Sequence, residues 1–363
     1  MKHRVGCVRI ARAVPADERT AGPRNGRNGL GRALATLDDV AKLAGVSKST
    51  ASRALGKPEL VAPSTADRVR LAAETLAFFP NRAATALASG RSGLVAIVVP
   101  TLENSFFTPI VRGAQIRANE SELHLTIVVN GVASEADAEA LRRLSKQVDG
   151  FLIAAPKGDD TAVLEICSLR PSVLIDREIE TVPSVVADTE SAFRALAESL
   201  AEQGHTNIAF IGGPDNSWQN EQRTRAVRDA LAGRAKLSEF GTFDPTFAAG
   251  FGVVNAVVES GATAVISYSS AISLGLIFGL QARGVRVPED LVVSADEVLI
   301  SALGVRSSPS IDVDGELLGS MAMDELVAQI GAAHAAAHGH GREGGHGTGG
   351  ARQERLPVPV RWT

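Results

Sequence analysis

Cysteines, aromatics and long apolar runs are all scarce in this 363-residue chain, and each scarcity removes a class of protein. The only cysteines, Cys7 and Cys167, cannot build a disulfide framework and lack the paired spacing of a zinc site. No metal is expected, and a reducing cytoplasm fits. No apolar stretch approaches the ~18 residues of a membrane span, and the basic N-terminus lacks the apolar segment of an export signal. There is no Gly-x-x-x-x-Gly-Lys phosphate loop, no His-Glu-x-x-His, no Gly-x-Ser-x-Gly elbow and no GxGxxG after a strand. No cofactor is therefore expected and enzymes are disfavoured, although a glycosidase, whose two carboxylates need no signature, stays open. Aromatics make up 4% of the chain, so those at loop positions carry more information.

What is present suggests two or three domains, with 45% apolar residues enough for a sizeable core. The net charge of -4 hides an asymmetry. Residues 1–92 hold 16 Lys/Arg against 7 Asp/Glu, whereas residues 93–363 hold 21 against 34. A basic end on an acidic body suits attraction of that end to phosphates, with the body repelled from them.

The basic end contains TLDDVAKLAGVSKSTASRALG, residues 36–56. Leu37, Val40, Ala41 and Ala44 fall at helical spacing, Gly45 breaks the run, and Val46, Ala51, Ala54 and Leu55 begin another. The spacing predicts a helix, a tight turn and a second helix capped by Ser47. Lys48, Ser49, Ser52 and Arg53 fall on the face that the alanines leave outward, as a helix entering a DNA major groove requires. An ordinary helical hairpin with solvated charges would show the same pattern.

A third helix is predicted from Pro63 to about Phe78, with Val69, Ala72 and Leu76 inward and Ala62 where a capping side chain is usual. Residues 36–79 thus form a three-helix headpiece. Residues 1–35 read as a disordered basic extension, either a phosphate-attracting arm or a tolerated addition. Residues 80–92 read as a linker able to become a short helix when DNA or a second copy holds it. From Leu94 onward, short β-branched runs alternate with amphipathic helical runs, which means parallel sheet covered by helices. Two doubly wound subdomains over 93–330 are expected, with a ligand cleft beside the strand ends. Residues 331–353, rich in Gly, Ala and His, read as flexible, and 354–363 as an extended segment returning to the body. His334, His338, His340 and His346 lie there, and a metal site, weighed for them, is not expected.

These residues carry a resemblance. TLDDVAKLAGVSKSTASRAL followed by RVRLAAETLAFFPNRAATALASGRSGLVAIVVP resembles the headpiece, hinge and first core strand of the LacI/GalR family of bacterial transcription regulators. VDGFLIAAP, Glu202-Gln203-Gly204-His205, NIAFIGGP and RVPEDLVV continue it through the body. It implies an all-α helix-turn-helix headpiece and an α/β body of two doubly wound parallel-sheet subdomains, similar to periplasmic sugar-binding proteins. Lys48, Ser49 and Arg53 would read base edges, and Ser47, Thr50 and Ser52 would position the helix on phosphates. Asn81, Ala84 and Leu87 would act from the hinge, Leu87 as a wedge in the minor groove. Gly56 departs from the family's frequent Asn. The partners implied are a pseudo-palindromic operator, a small-molecule effector and a second copy of the chain.

The effector pocket follows from the same resemblance. Asn104 and Phe107, in LENSFFTPI, match a family loop in which Ser105 replaces Pro, while Phe106 beside them reads as packing between lobes. Arg223 and Asp296 would grip polar groups, Trp218 would be the stacking face, and Asp188 is a further candidate. Ser269-Ser270 stands where Asn-Asp is frequent, and Ser191 where some sugar-binding members have Asp. A sugar is the expected effector, with a purine-type ligand as rival. A solute receptor or carbohydrate-active enzyme without a DNA-binding role is the alternative function.

Overall fold

The computed structural model describes residues 35–56, 58–78, 91–296, 304, 308–337 and 351–362. The chain divides into two compact units, one ending at Asn81 and the other beginning at Arg82. Residues 1–34 of the N-terminal extension, residue 79 at the end of the headpiece and residues 80–90 of the hinge lie outside the described residues.

In the first unit, Thr36 opens α1 (Leu37–Ala44) with a reciprocal cap. Its hydroxyl accepts from the Asp39 N–H at 3.3 Å, and the Asp39 carboxylate accepts from the Thr36 N–H at 2.9 Å. The Thr36 hydroxyl also holds the Asp39 carboxyl below its ordinary range. Gly45, at φ 66°, ends the helix in the left-handed conformation and passes the chain into α2 (Lys48–Gly56). A single 3-10 turn, Pro58–Leu60, leads to α3 (Pro63–Thr75). Ala62 supplies no side-chain cap, and α3 stops short of the predicted Phe78 because Ala77 takes φ 47°. Val40, Ala41, Ala51, Ala54, Val69 and Ala72 make the small core.

The second unit holds two lobes. The first is a parallel sheet in the order β11-β5-β4-β3-β1-β2. Its strands are β1 (Leu94–Val99), β2 (His124–Val129), β3 (Gly150–Ala154), β4 (Ser172–Ile175), β5 (Ser184–Ala187) and β11 (Gln353–Leu356). Alternation along β1 places Val95, Ile97 and Val99 in a core under α4 (Phe107–Glu120) and α12 (Gly315–Ala337). Ala96 and Val98 turn the other way, into a core with α5 (Glu135–Leu144) and α6 (Asp160–Cys167). The second lobe orders β7 (Lys236–Thr242), β6 (Asn207–Gly212), β8 (Ala264–Ser267) and β9 (Val292–Val293) in parallel. Its helices are α7 (Thr189–Glu202), α8 (Trp218–Leu231), α9 (Phe247–Gly252), α10 (Val254–Glu259) and α11 (Ser270–Gln281). An antiparallel pair, β10 (Pro309–Ile311) and β12 (Val360–Trp362), joins that lobe through a bridge from Ser310 to Ala295.

The chain passes between lobes three times. Ala187 precedes α7, Ile311 packs in one lobe and Val313 in the other, and Val358 and Val360 divide the same way. Two expectations change here. Residues 331–337 are not flexible but form the last turns of α12, where alanine favours helix. The expected flexible segment also overlaps β11 at Gln353, because Gln353 pairs with Ser184 on the open edge of β5; residues 338–350 lie outside the described residues.

Helices α4 and α12 approach so closely that a Cβ on Gly113 would overlap the Glu316 carbonyl, and one on Gly319 the Ile110 carbonyl. Backbone cannot step aside as a side-chain tip can. Gly319→Ala is therefore expected to destabilise the body by about 2 kcal/mol or more, measured by urea unfolding. Gly331→Ala, on the same helix with open space around it, should be neutral or slightly stabilising. Equal effects at the two positions would contradict the close packing.

Candidate functional site

The headpiece presents one face and the body one cleft. On α2, Ser47 caps the helix by accepting from the Thr50 N–H at 3.1 Å, and its Oγ lies 2.9 Å from Ser49 Oγ and 2.8 Å from Thr50 Oγ1. Ala51 and Ala54 point into the core, which turns Lys48, Ser49, Ser52 and Arg53 to solvent. Thr50 is half-buried and Ser47 exposed. Lys48 and Arg53 have no acidic partner among the described residues, unlike Lys42, which pairs with Asp38 at 2.6 Å. Two cations without an acidic partner among the described residues and the hydroxyls of Ser47, Ser49 and Ser52 thus share the solvent face of a short helix, Lys48 in its first turn and Arg53 in its last. Asn81, Ala84 and Leu87 fall outside the described residues.

In the body, α4, α7, α8 and α11 each begin after the C-terminal end of a parallel strand, and their first residues border a cleft of about 1080 Å³ between the two lobes. That is where an open α/β sheet places a ligand. Asn104, Phe107 and Asp176 enter it from one lobe; Thr189, Gln219 and Arg223 enter from the other. Asn104 Oδ1 accepts from the Phe106 N–H at 3.1 Å, which shapes the loop before α4. Phe106 and Phe107 meet edge to face with centroids 5.5 Å apart. Phe106 packs against the first lobe's core and also borders the cleft.

Arg223 is buried and held on several sides. Its Nε donates to Thr189 Oγ1 at 3.0 Å and its Nη1 to the Tyr268 carbonyl at 2.8 Å. Its guanidinium carbon lies 5.0 Å from the Phe193 ring centroid and 4.7 Å from that of Tyr268. Thr189 in turn donates to Gln219 Oε1 at 2.8 Å. Gln219 Nε2, Ser267 Oγ and Asp176 Oδ2 make no hydrogen bond of ordinary geometry, although the Gln219 amide lies near enough to the Asp176 carboxyl to act on it. Asp176 Oδ1 accepts from the Ala187 N–H at 3.0 Å. Burial pushes the Asp176 carboxyl up to about 6, with the Ala187 N–H, the Arg223 charge and the Gln219 amide pulling partly back. Asp176 also sits at φ 56° and Ala155, likewise on the cleft, at φ 43°. Left-handed backbone at non-glycine residues is uncommon and tends to gather at working sites.

The cleft therefore unites Asn104, Phe107, Arg223, Ser269 and Asp296 of the expected set. Trp218 and Asp188 do not line it. Trp218 is the first residue of α8 and half-buried, and the residues that α8 turns to the cleft are Gln219 and Arg223, four apart. Asp188 is the cap of α7, its carboxylate accepting from the Ser191 N–H at 3.3 Å. Asp176, Thr189, Gln219, Ser267 and Tyr268 were not anticipated. The i, i+4 relation to Arg223 points to Gln219, and the strand-end position after Val173–Ile175 points to Asp176.

A two-lobed cleft of this kind, on a chain that also carries a helix-turn-helix unit, defines a ligand-responsive DNA-binding regulator. Residues 36–81 match the bacterial regulatory proteins of the lacI family, and residues 92–348 match the periplasmic binding proteins and sugar binding domain of the LacI family. The chain belongs to the LacI family of bacterial transcription regulators. Catabolite control protein A of Priestia megaterium is 29% identical over 279 residues, spanning 74% of this chain and 84% of that protein. The lac repressor dimer bound to operator and the anti-inducer ONPF superposes with TM-score 0.75 at 25% identity, covering 90% of this chain and 97% of that one. The complex of the regulator CelR with cellobiose superposes with TM-score 0.60 at 25% identity, covering 90% and 98%.

Proposed function

We propose that this protein is an operator-binding repressor, acting as a homodimer in the cytoplasm, whose grip on DNA is set by a sugar held between the lobes. The observation that carries the effector reading is the trio of buried polar atoms without partners in the cleft: Asp176 Oδ2, Gln219 Nε2 and Ser267 Oγ. Leaving such an atom unsatisfied costs about 1–3 kcal/mol. An acceptor, a donor and a hydroxyl call for a ligand bearing several hydroxyls, and the Phe106 and Phe107 rings supply apolar surface for the rest of it. Cellobiose and ONPF in the two superposed regulators support the same class of ligand.

Asn104, Phe107, Arg223, Ser269 and Asp296 then serve as effector contacts beside Asp176 and Gln219. Lys48, Ser49 and Arg53 read base edges, and Ser47, Thr50 and Ser52 settle the helix on phosphates. Asn81, Ala84 and Leu87 act between half-sites. Because Asp176 belongs to one lobe and Gln219 to the other, a ligand that satisfies both favours one lobe arrangement. It shifts operator affinity by that preference and no more. A solute receptor or carbohydrate-active enzyme leaves the exposed cations of α2 without a role.

A thermal-shift screen of neutral mono- and disaccharides and of nucleobases tests the effector. A sugar at 100 times its Kd is expected to stabilise the chain by about 2.7 kcal/mol, and the same sugar should change operator binding. Residues 93–363 alone should keep the sugar response and lose DNA binding. Stabilisation by nucleobases and by no sugar would overturn the sugar assignment.

A further inference from the structure

Tyr268 is the only tyrosine in the chain, and its surroundings constrain Arg223 in a way that bears on the class of ligand. The ring lies against Gly213, where a Cβ would come within 2.6 Å of three ring carbons, so no larger residue fits there without displacing it. The phenol oxygen lies 3.0 Å from Ser217 Oγ, which anchors the outer end of the ring. Ring and backbone of Tyr268 both hold Arg223, the ring by cation–π contact and the carbonyl by hydrogen bond. Phe193 adds a second aromatic ring, itself braced edge to face on Phe210 at 6.4 Å.

An arginine that binds phosphate or carboxylate usually offers two parallel N–H groups from a fork that is free to align. Here the Nε–H and one of the two Nη1 N–H groups are committed to Thr189 and Tyr268, and the guanidinium cannot swing without leaving two aromatic rings. The three N–H groups that remain can serve a ligand only in a fixed direction. The same cleft is bordered by Asp176, one of whose carboxylate oxygens makes no hydrogen bond. A dianionic group would meet that like charge and one arginine unable to turn toward it.

We propose that Tyr268 is a positioning residue that locks Arg223 and thereby restricts the cleft to uncharged ligands, excluding phosphorylated sugars. This rests on the effector reading above and narrows it. Removal of the ring and its anchor takes away one of the two aromatic walls and loosens the guanidinium toward an anion, while the bonds to Thr189 and to the residue-268 carbonyl remain. The conservative change to Phe keeps the ring and loses only the contact to Ser217.

Two measurements on the full chain decide it. Phenylglyoxal labelling of Arg223, followed by peptide mass spectrometry, needs no ligand. It is expected to run at least fivefold faster in Tyr268→Ser than in the parent, with Tyr268→Phe close to the parent. Thermal-shift titrations with cellobiose, glucose, glucose 6-phosphate and inorganic phosphate should show no response of the parent to either phosphate, and a gained response in Tyr268→Ser. Equal labelling rates in parent and Tyr268→Ser overturn the lock, as does a parent response to glucose 6-phosphate matching that to glucose. If labelling behaves as expected but neither cellobiose nor glucose stabilises the parent, the lock stands and the assignment of those sugars fails. If Tyr268→Ser does not fold, Gly213→Ala, which displaces the same ring, replaces it in both measurements.

Discussion

Asp176→Asn is expected to raise the stability of the ligand-free protein at pH 7 by about 3 kcal/mol while weakening effector binding roughly 10- to 100-fold. The carboxyl is buried with one oxygen unpartnered, and its folded value of about 6 lies above the ordinary 3.8. A raised acid holds its proton more tightly in the folded state than in the unfolded state. Its contribution to stability is therefore most favourable below pH 4, declines as pH rises from about 4 to about 6, and stays low above that. Asparagine removes the ionisation. It still accepts from the Ala187 N–H and tolerates the left-handed backbone found at this position. Urea unfolding at several pH values checks this: the stability difference between variant and parent should grow between pH 4 and 6 and then level. A variant less stable than the parent at pH 7, or a difference independent of pH, would contradict the burial of an unsatisfied carboxylate. Effector binding suffers because a hydroxyl that donated to a carboxylate meets a neutral amide instead, losing a charge-assisted bond.

Arg53→Ala is expected to cost roughly 1–3 kcal/mol of operator affinity in each half-site and to relax discrimination at one base pair there. Arg53 is exposed on α2, without an acidic partner among the described residues, on the face opposite Ala51 and Ala54. Competition binding against single-base operator variants measures both effects. Lys48→Ala should show a similar pattern at a neighbouring base pair. A loss of the same size on random duplex would mean that Arg53 supplies charge only, and the base-reading role would be withdrawn.

Much of this architecture was legible because the physics that forms it is local. Seven of the strands, β1, β2, β3, β4, β6, β8 and β9, coincide with short β-branched runs, and the span of α4 agrees with a periodic pattern from Phe107 to Glu120. The headpiece followed from a glycine between two alanine-rich periods. What escaped has identifiable causes. β7, KLSEFGT, is an edge strand with no fully buried residue and a polar composition that reads as loop. Helix α12 runs through three glycines, residues that disfavour helix by themselves but at 315 and 319 let it press onto α4. In the cleft, the loop after β1 and Arg223 were expected from the family resemblance, and both border it at the start of a helix. Asp176 was missed because the run Asp176-Arg177-Glu178 looks like a solvated turn, whereas Asp176 and Arg177 are both buried. Trp218 attracted attention as a large aromatic. The helix turn that exposes Gln219 and Arg223 to the cleft takes Trp218 away from it.

A duplex-gripping headpiece must answer to a sugar held in a separate cleft. Selection of the full chain against randomised duplex oligonucleotides, repeated with the sugar that most raises its melting temperature, tests that link in one measurement. Enrichment of an inverted repeat whose recovery changes at least tenfold with the sugar is the result expected. Enrichment of no sequence under either condition, or of a sequence recovered equally with and without the sugar, would contradict it.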